Sequence, residues 1–197
     1  MTADDPDGSG ATDGEPASGS VGGHSGGPAG EPAGGSLAAT LGAALASRGL
    51  VFTAAESCTG GLIAAALTSV PGSSAWFGCG FVTYANAAKT SLLGVEVGTL
   101  DRHGAVSEAV VRAMASGARA RAGADVAVAA SGVAGPGGGS AAKPVGTVWL
   151  AWALPDGRVD ASCHRFPGGR AEVRADAVAE ALRGTIERLD RTLPGPH

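Results

Sequence analysis

The run Asp125-Val126-Ala127-Val128-Ala129-Ala130 decides the fold. Past its first residue it is continuously apolar with no polar alternation, as expected of a strand covered on both faces. Upstream, Ser107 opens a segment of helical period, with Val110, Val111, Met114, Ala115 and Ala118 on one face and Arg112 and Arg119 away from it. Downstream, Val145 to Ala153 reads as a strand, Asp156-Gly157 as a hairpin turn and Val159 to Phe166 as the partner strand. A last helix spans about Ala171 to Leu189, with Val173, Ala177, Ala181, Leu182, Ile186 and Leu189 on one side. Nearer the start, Ser36 is placed to cap a helix with Leu37, Leu41, Ala44 and Leu45 on its apolar face and Gly49 as terminator. The β-prone Leu50-Val51-Phe52-Thr53 follows, then Leu62 to Leu67 with helical composition, turn chemistry at Pro71-Gly72-Ser73-Ser74, and a strand over Trp76 to Thr83. Asn86 to Leu93 reads as a short helix ending at Gly94, and Val95 to Ala105 as irregular. Helices alternating with buried strands, with one late hairpin, predict an α/β fold. Its architecture is a three-layer α/β/α sandwich on a mixed, mostly parallel sheet.

Composition divides the chain of 197 residues in two. Residues 1–35 hold four Pro, six acidic residues, abundant Gly and neither Lys nor Arg, a segment with too little apolar surface to offset its ordering entropy. This tail is expected to be disordered, leaving 36–193 as the one cored domain. The formal charge of −4 comes from the tail, and the remainder carries +2. With 4% aromatic residues and a nearly neutral domain, there is no electrostatic footprint for nucleic acid. No apolar run approaches the ~20 residues needed to span a bilayer, so neither a membrane partner nor a signal peptide is expected. Cys58, Cys79 and Cys163 form no C-x-x-C pair and are odd in number, which fits free thiols and a cytoplasmic location. The four His are too scattered to suggest zinc.

Chemistry concentrates at Thr53-Ala54-Ala55-Glu56-Ser57-Cys58-Thr59-Gly60-Gly61, read as a strand, a tight turn and a helix start. Ser57 there is either an ordinary N-cap or a nucleophile beside backbone N–H groups that stabilise an anion. The stretch is neither Ser-x-x-Lys, since position 60 is Gly, nor Gly-x-Ser-x-Gly, since positions 55 and 59 are Ala and Thr. Only two of fourteen basic residues are Lys, and a Lys, unlike Arg, becomes a base when desolvated. Lys89 follows Tyr84, the only tyrosine, by five residues. Ser57 activated by Lys89, with Tyr84 relaying or steadying the proton, is one reading; a solvated Lys89 and a core-edge Tyr84 is the other. Cys58 is a rival nucleophile without a neighbouring His. The glycine-rich Ser131 to Ser140 is either a nest of N–H groups for an anion or a flexible connection. Arg170, opening the last helix after Pro167-Gly168-Gly169, is either a solvated residue or, with Gly135, Gly138, Gly139 and Ser140, a phosphate ligand.

Several ungapped stretches in series carry a resemblance: Ala55 to Gly61, Gly72 to Phe77, Gly80 to Tyr84 with Asn86 and Lys89, Gly104 to Ser107, Gly132 to Pro136, and Lys143 to Val148. Together they resemble the CinA C-terminal domain family, over about Leu37 to Leu189. The resemblance implies hydrolysis of the carboxamide of nicotinamide mononucleotide to nicotinate mononucleotide and ammonia, without metal or organic cofactor, by a domain that self-associates. It matches Ser57 to the family's nucleophile and Lys89 and Tyr84 to the residues that activate it. In the acyl-transfer mechanism read from these residues, backbone N–H groups of Cys58, Thr59, Gly60 and Gly61 are expected to face the oxyanion. Position 137 departs from the pattern, being Gly where the family usually has a polar residue such as Asp. The N-terminal nucleotide-processing domain of longer relatives has no counterpart, so the resemblance covers the amidase half alone. The competing expectations are a nucleotide-binding module without turnover and an amidase for another carboxamide.

Overall fold

The computed structural model describes residues 35–193. The expectation for the acidic tail lies outside these residues, except that Gly35 already belongs to the first helix. In chain order the elements are α1 (Gly35–Arg48), β1 (Phe52–Glu56), α2 (Leu62–Thr68), β2 (Phe77–Val82), α3 (Asn86–Leu93), α4 (Val97–His103), α5 (Glu108–Ala122), β3 (Val126–Gly132), β4 (Thr147–Ala153), β5 (Val159–Arg165) and α6 (Arg170–Thr192). The strands form one sheet in the order β2-β1-β3-β4-β5. β1 pairs in parallel with β2 and β3, while β4 is antiparallel to both β3 and β5, so four of the five strands run the same way.

The two faces of the sheet carry different side chains because successive residues of a strand point to opposite sides. Phe52, Val126, Val128, Val148, Leu150 and Trp152 face α1, α2 and α6. On the other side Ala55, Ala127, Ala129, Ala151 and Ala153 face α5, with Leu93 and Leu100 beside it. Bulk on one face fills a deep layer, and alanine on the other lets α5 lie close. That closeness continues between helices: a Cβ at Gly117 of α5 would stand 2.0 Å from the Leu93 carbonyl oxygen at the end of α3. On the first face, Leu41 and Leu45 of α1 and Leu182 and Leu189 of α6 are fully buried, each contributing about 2 kcal/mol.

Helix signals read from the sequence agree where local chemistry sets the boundary. Ser107 caps α5, its Oγ accepting from the Val110 N–H, and Gly49, Gly94 and Gly123 adopt positive φ just past their helices. Three readings are corrected. Ser36 is not the cap of the first helix but lies within it, since α1 already includes Gly35. Val95 to Ala105 is not irregular but holds α4, whose single buried residue, Leu100, gives too little periodicity to detect. Ser57 does not start a helix: α2 begins five residues later, because Gly60 and Gly61 at φ 59° and 97° turn the chain first. Among the described residues no helix is long and apolar enough to cross a membrane.

Candidate active site

Parallel strands β1, β2 and β3 end side by side, and their carboxyl ends carry Ser57, Thr83-Tyr84 and Ser131-Gly132. The Ser57 N–H donates to the Ala130 carbonyl at 2.9 Å, and the Thr83 N–H to the Glu56 carbonyl at 2.8 Å. Three chain segments are thereby tied at one rim. A cavity of about 200 Å³ opens there, and its walls include Ser57, Tyr84, Asn86, Lys89, Ser131 and Arg170.

Lys89 comes to this rim from α3 and has no solvent exposure. Its Nζ lies 3.1 Å from Ser57 Oγ, 2.8 Å from the Thr83 carbonyl oxygen and 3.3 Å from that of Tyr84. None of these partners is ionised. Burial lowers the pKa of Lys89 from 10.5, since desolvation disfavours the ammonium; the neighbouring Cys58 acts weakly the other way. The reading of Lys89 as a solvated helix residue is therefore corrected. Cys58 is also buried, and desolvation pushes its thiol up to about 11, against the opposing backbone N–H groups of Cys58 and Thr59. At neutral pH it is a thiol, a poorer nucleophile than its thiolate.

Tyr84 stands differently from the sequence expectation. The residue is 60% exposed, so it is no core edge, and its hydroxyl accepts from Arg170 Nη2 at 3.0 Å. What it offers Lys89 is its main-chain carbonyl. Direct Ser57–Lys89 contact leaves no gap for a phenolic relay to bridge. Arg170 Nη1 donates to the Gly135 carbonyl at 2.9 Å, so this guanidinium spans the cavity mouth from α6 to both Tyr84 and the glycine-rich loop.

Two groups of expected backbone donors are corrected. The Gly60 N–H donates to the Ser57 carbonyl and the Gly61 N–H to Glu56 Oε2, so neither is free to face an oxyanion. Among the described residues the Cys58 and Thr59 N–H groups have no backbone acceptor, but only Cys58 lines the cavity, so the expected Thr59 donor is also corrected. In the glycine-rich loop, Gly138, Gly139 and Ser140 do not line the cavity. Ser140 instead closes on Lys143, each N–H donating to the other residue, because the loop ends pair as an extension of β3 and β4. Gly135 reaches the site only with its carbonyl.

Sequence reasoning assigned no role to Glu56, Asn86, Ser131 or Arg174. Glu56 is buried, with its carboxylate turned onto the N–H groups that follow Ser57. Ser131 Oγ donates to the Ala105 carbonyl at 2.8 Å, fixing the wall opposite α3. Arg174 donates to the Thr59 carbonyl at 2.8 Å. A buried acid beside a candidate nucleophile was the available signal for Glu56; Arg174 is brought in only by the docking of α6.

The model of the CinA C-terminal domain matches residues 34–189. The chain belongs to the CinA C-terminal domain family. It is 58% identical over 148 residues to the nicotinamide-nucleotide amidohydrolase PncC of Enterobacter agglomerans, covering 75% of this chain and 90% of that one. To the protein of the same name from Escherichia coli K12 it is 54% identical over 142 residues, 72% of this chain and 86% of the other. Among solved structures, the competence/damage inducible protein CihA of Agrobacterium tumefaciens superposes with a TM-score of 0.77 at 47% identity, covering 79% of this chain and 94% of that one.

Proposed function

We propose that this chain hydrolyses the carboxamide of nicotinamide mononucleotide, giving nicotinate mononucleotide and ammonia through an acyl-enzyme on Ser57. The observation that carries the reading is a buried amine, unpaired with any acid among the described residues, 3.1 Å from a serine hydroxyl in a cavity. Relatives named nicotinamide-nucleotide amidohydrolase support the substrate. Neutral Lys89 donates its two N–H bonds to the Thr83 and Tyr84 carbonyls and accepts the Ser57 O–H on its lone pair. As Ser57 Oγ bonds to the amide carbon, its proton passes to Lys89. The N–H group of Cys58, which lines the cavity, meets the oxyanion, worth roughly 3 kcal/mol. Lys89 then returns the proton to the departing nitrogen, the C–N bond breaks, and water repeats the sequence to release the acid. No metal or organic cofactor takes part in this scheme.

The cavity suits the ring and its amide, which leaves the ribose phosphate at the mouth beside Arg170. Among the described residues, Arg170 spends two of its five N–H bonds on protein. A cytoplasmic, self-associating enzyme completes the proposal, and sedimentation of the purified chain tests the association. For the activity, the protein is incubated with nicotinamide mononucleotide and ammonia is measured together with nicotinate mononucleotide. Stoichiometric release of both is expected. Substrate binding without release would turn the reading to a nucleotide-binding module, and release only from other amides to a different amidase.

A further inference from the structure

The side chain next to the serine is the least exposed carboxylate near the site, and everything it touches is backbone. Glu56 is 1% exposed. Its Oε2 accepts from the Gly61 N–H at 2.9 Å and the Ile63 N–H at 3.1 Å, and its Oε1 accepts from the Ala64 N–H at 2.9 Å. No Lys or Arg side chain pairs with it. These donors are unpaired N–H groups of the α2 start, and a carboxylate satisfies them more strongly than a hydroxyl does. The carboxylate thus closes a loop from residue 56 to residue 64 whose interior is the Ser57 turn. The main chain of the same residue holds the base: its carbonyl accepts the Thr83 N–H at 2.8 Å, and the Thr83 carbonyl holds Lys89 Nζ at 2.8 Å.

We infer that Glu56 is a positioning residue for the proposed amide hydrolysis, its carboxylate fixing the Ser57 turn against the strand end that holds Lys89. The inference rests on the reading of Ser57 as nucleophile. Glu56 neither lines the cavity nor touches the lysine amine, so it acts on the reaction only through the placement of Ser57 Oγ and of the Cys58 N–H group. Gln in its place presents an NH₂ group to backbone N–H donors, and the turn must shift to separate them.

Wild type and Glu56→Gln are compared in three measurements on folded protein, well below the melting temperature: kcat and KM for nicotinamide mononucleotide, the pH profile of kcat/KM, and the rate at which a fluorophosphonate labels Ser57. A fall in kcat of about 10²-fold is expected, the loss that a misplacement of about 1 Å brings, with KM within about threefold because binding contacts are untouched. Labelling slows in parallel. The acid limb of the pH profile stays where it is in wild type while its plateau drops. A kcat and labelling rate within threefold of wild type overturn the inference, as does a displaced acid limb, which would make Glu56 an electrostatic partner of the base. Labelling of wild-type Ser57 without ammonia release would sink the substrate reading and leave the positioning role testable by the labelling rates alone; no labelling of wild type would overturn both. Should Glu56→Gln fail to fold, Ala64→Pro deletes one of the three donors in the first turn, where proline is tolerated, and keeps the charge. It is expected to lower kcat and labelling about tenfold, and an unchanged rate overturns the inference.

Discussion

A lysine amine has three N–H bonds when charged, and two with a lone pair when neutral; Lys89 meets three oxygens, two of them carbonyls that only accept. The third, Ser57 Oγ, both donates and accepts, so the site admits the neutral amine without an unsatisfied group, and burial favours that form. Lys89→Arg should therefore be nearly as inactive as Lys89→Ala, since a guanidinium keeps its charge and takes no proton; steady-state ammonia release checks this, and activity within tenfold of wild type would contradict it. Ser57→Ala should abolish turnover while Cys58→Ala keeps most of it, because the Cys58 thiol, pushed up to about 11, carries almost no thiolate at neutral pH. Equal losses would move the nucleophile to sulfur. At the cavity mouth, Arg170→Ala should raise KM for the mononucleotide strongly and barely affect the phosphate-free riboside. Loss with both substrates alike would place the phosphate elsewhere. Residue types were legible here: a rare Lys and a Ser in a glycine-rich turn stand out in any composition. The Glu56 contacts were not, because they run to backbone groups whose direction is set by two left-handed glycines.

Elements were legible where a boundary is chemical, as with the Ser107 cap and the glycine at 94, and illegible where only docking defines them. The seven residues of α4 bury one side chain and leave no periodic trace. The start of α2 looked like a serine-capped helix because the sequence does not say which of Glu56, Ser57 and Thr59 turns back onto the N–H groups. How close two helices lie is also a tertiary fact, and α3 and α5 supply its test. Gly117→Ala puts a methyl 2.0 Å from the Leu93 carbonyl oxygen, a contact relieved by moving α3 and α5 apart. Overpacking of this kind costs about 1–3 kcal/mol or more. Gly49→Ala serves as control: its φ of 63° is strained for alanine, at roughly 1–2 kcal/mol, but nothing lies within 4 Å. Denaturant melts should show comparable or larger destabilisation for Gly117→Ala. Only that variant should also lose kcat, since α3 carries Lys89. A Gly117→Ala protein of undiminished kcat would mean that the α3–α5 contact does not set the lysine's position.

At the scale of the molecule, three parallel strand ends converge on one rim, and the buried base at that rim taxes the whole fold. In the unfolded chain Lys89 is solvated and titrates near its ordinary value of 10.5, whereas in the fold its pKa is lowered by desolvation. Between the two values the unfolded state binds more protons than the native state, so stability rises with pH across that window. Above 10.5 both states are neutral and the cost vanishes; below the folded pKa both are charged and the cost is complete. Lys89→Met removes the titration, keeps much of the side-chain volume and leaves the Thr83 and Tyr84 carbonyls facing a thioether. Whatever its absolute stability, its difference from wild type must change with pH in one direction. Wild type should gain on the variant as pH rises toward 10.5, with a slope of at most about 1.4 kcal/mol per pH unit. Urea unfolding of both proteins at a series of pH values measures that slope. A difference that stays constant with pH, or that favours the variant increasingly as pH rises, would mean Lys89 is charged in the native fold at neutral pH, and Ser57 would then lack its base.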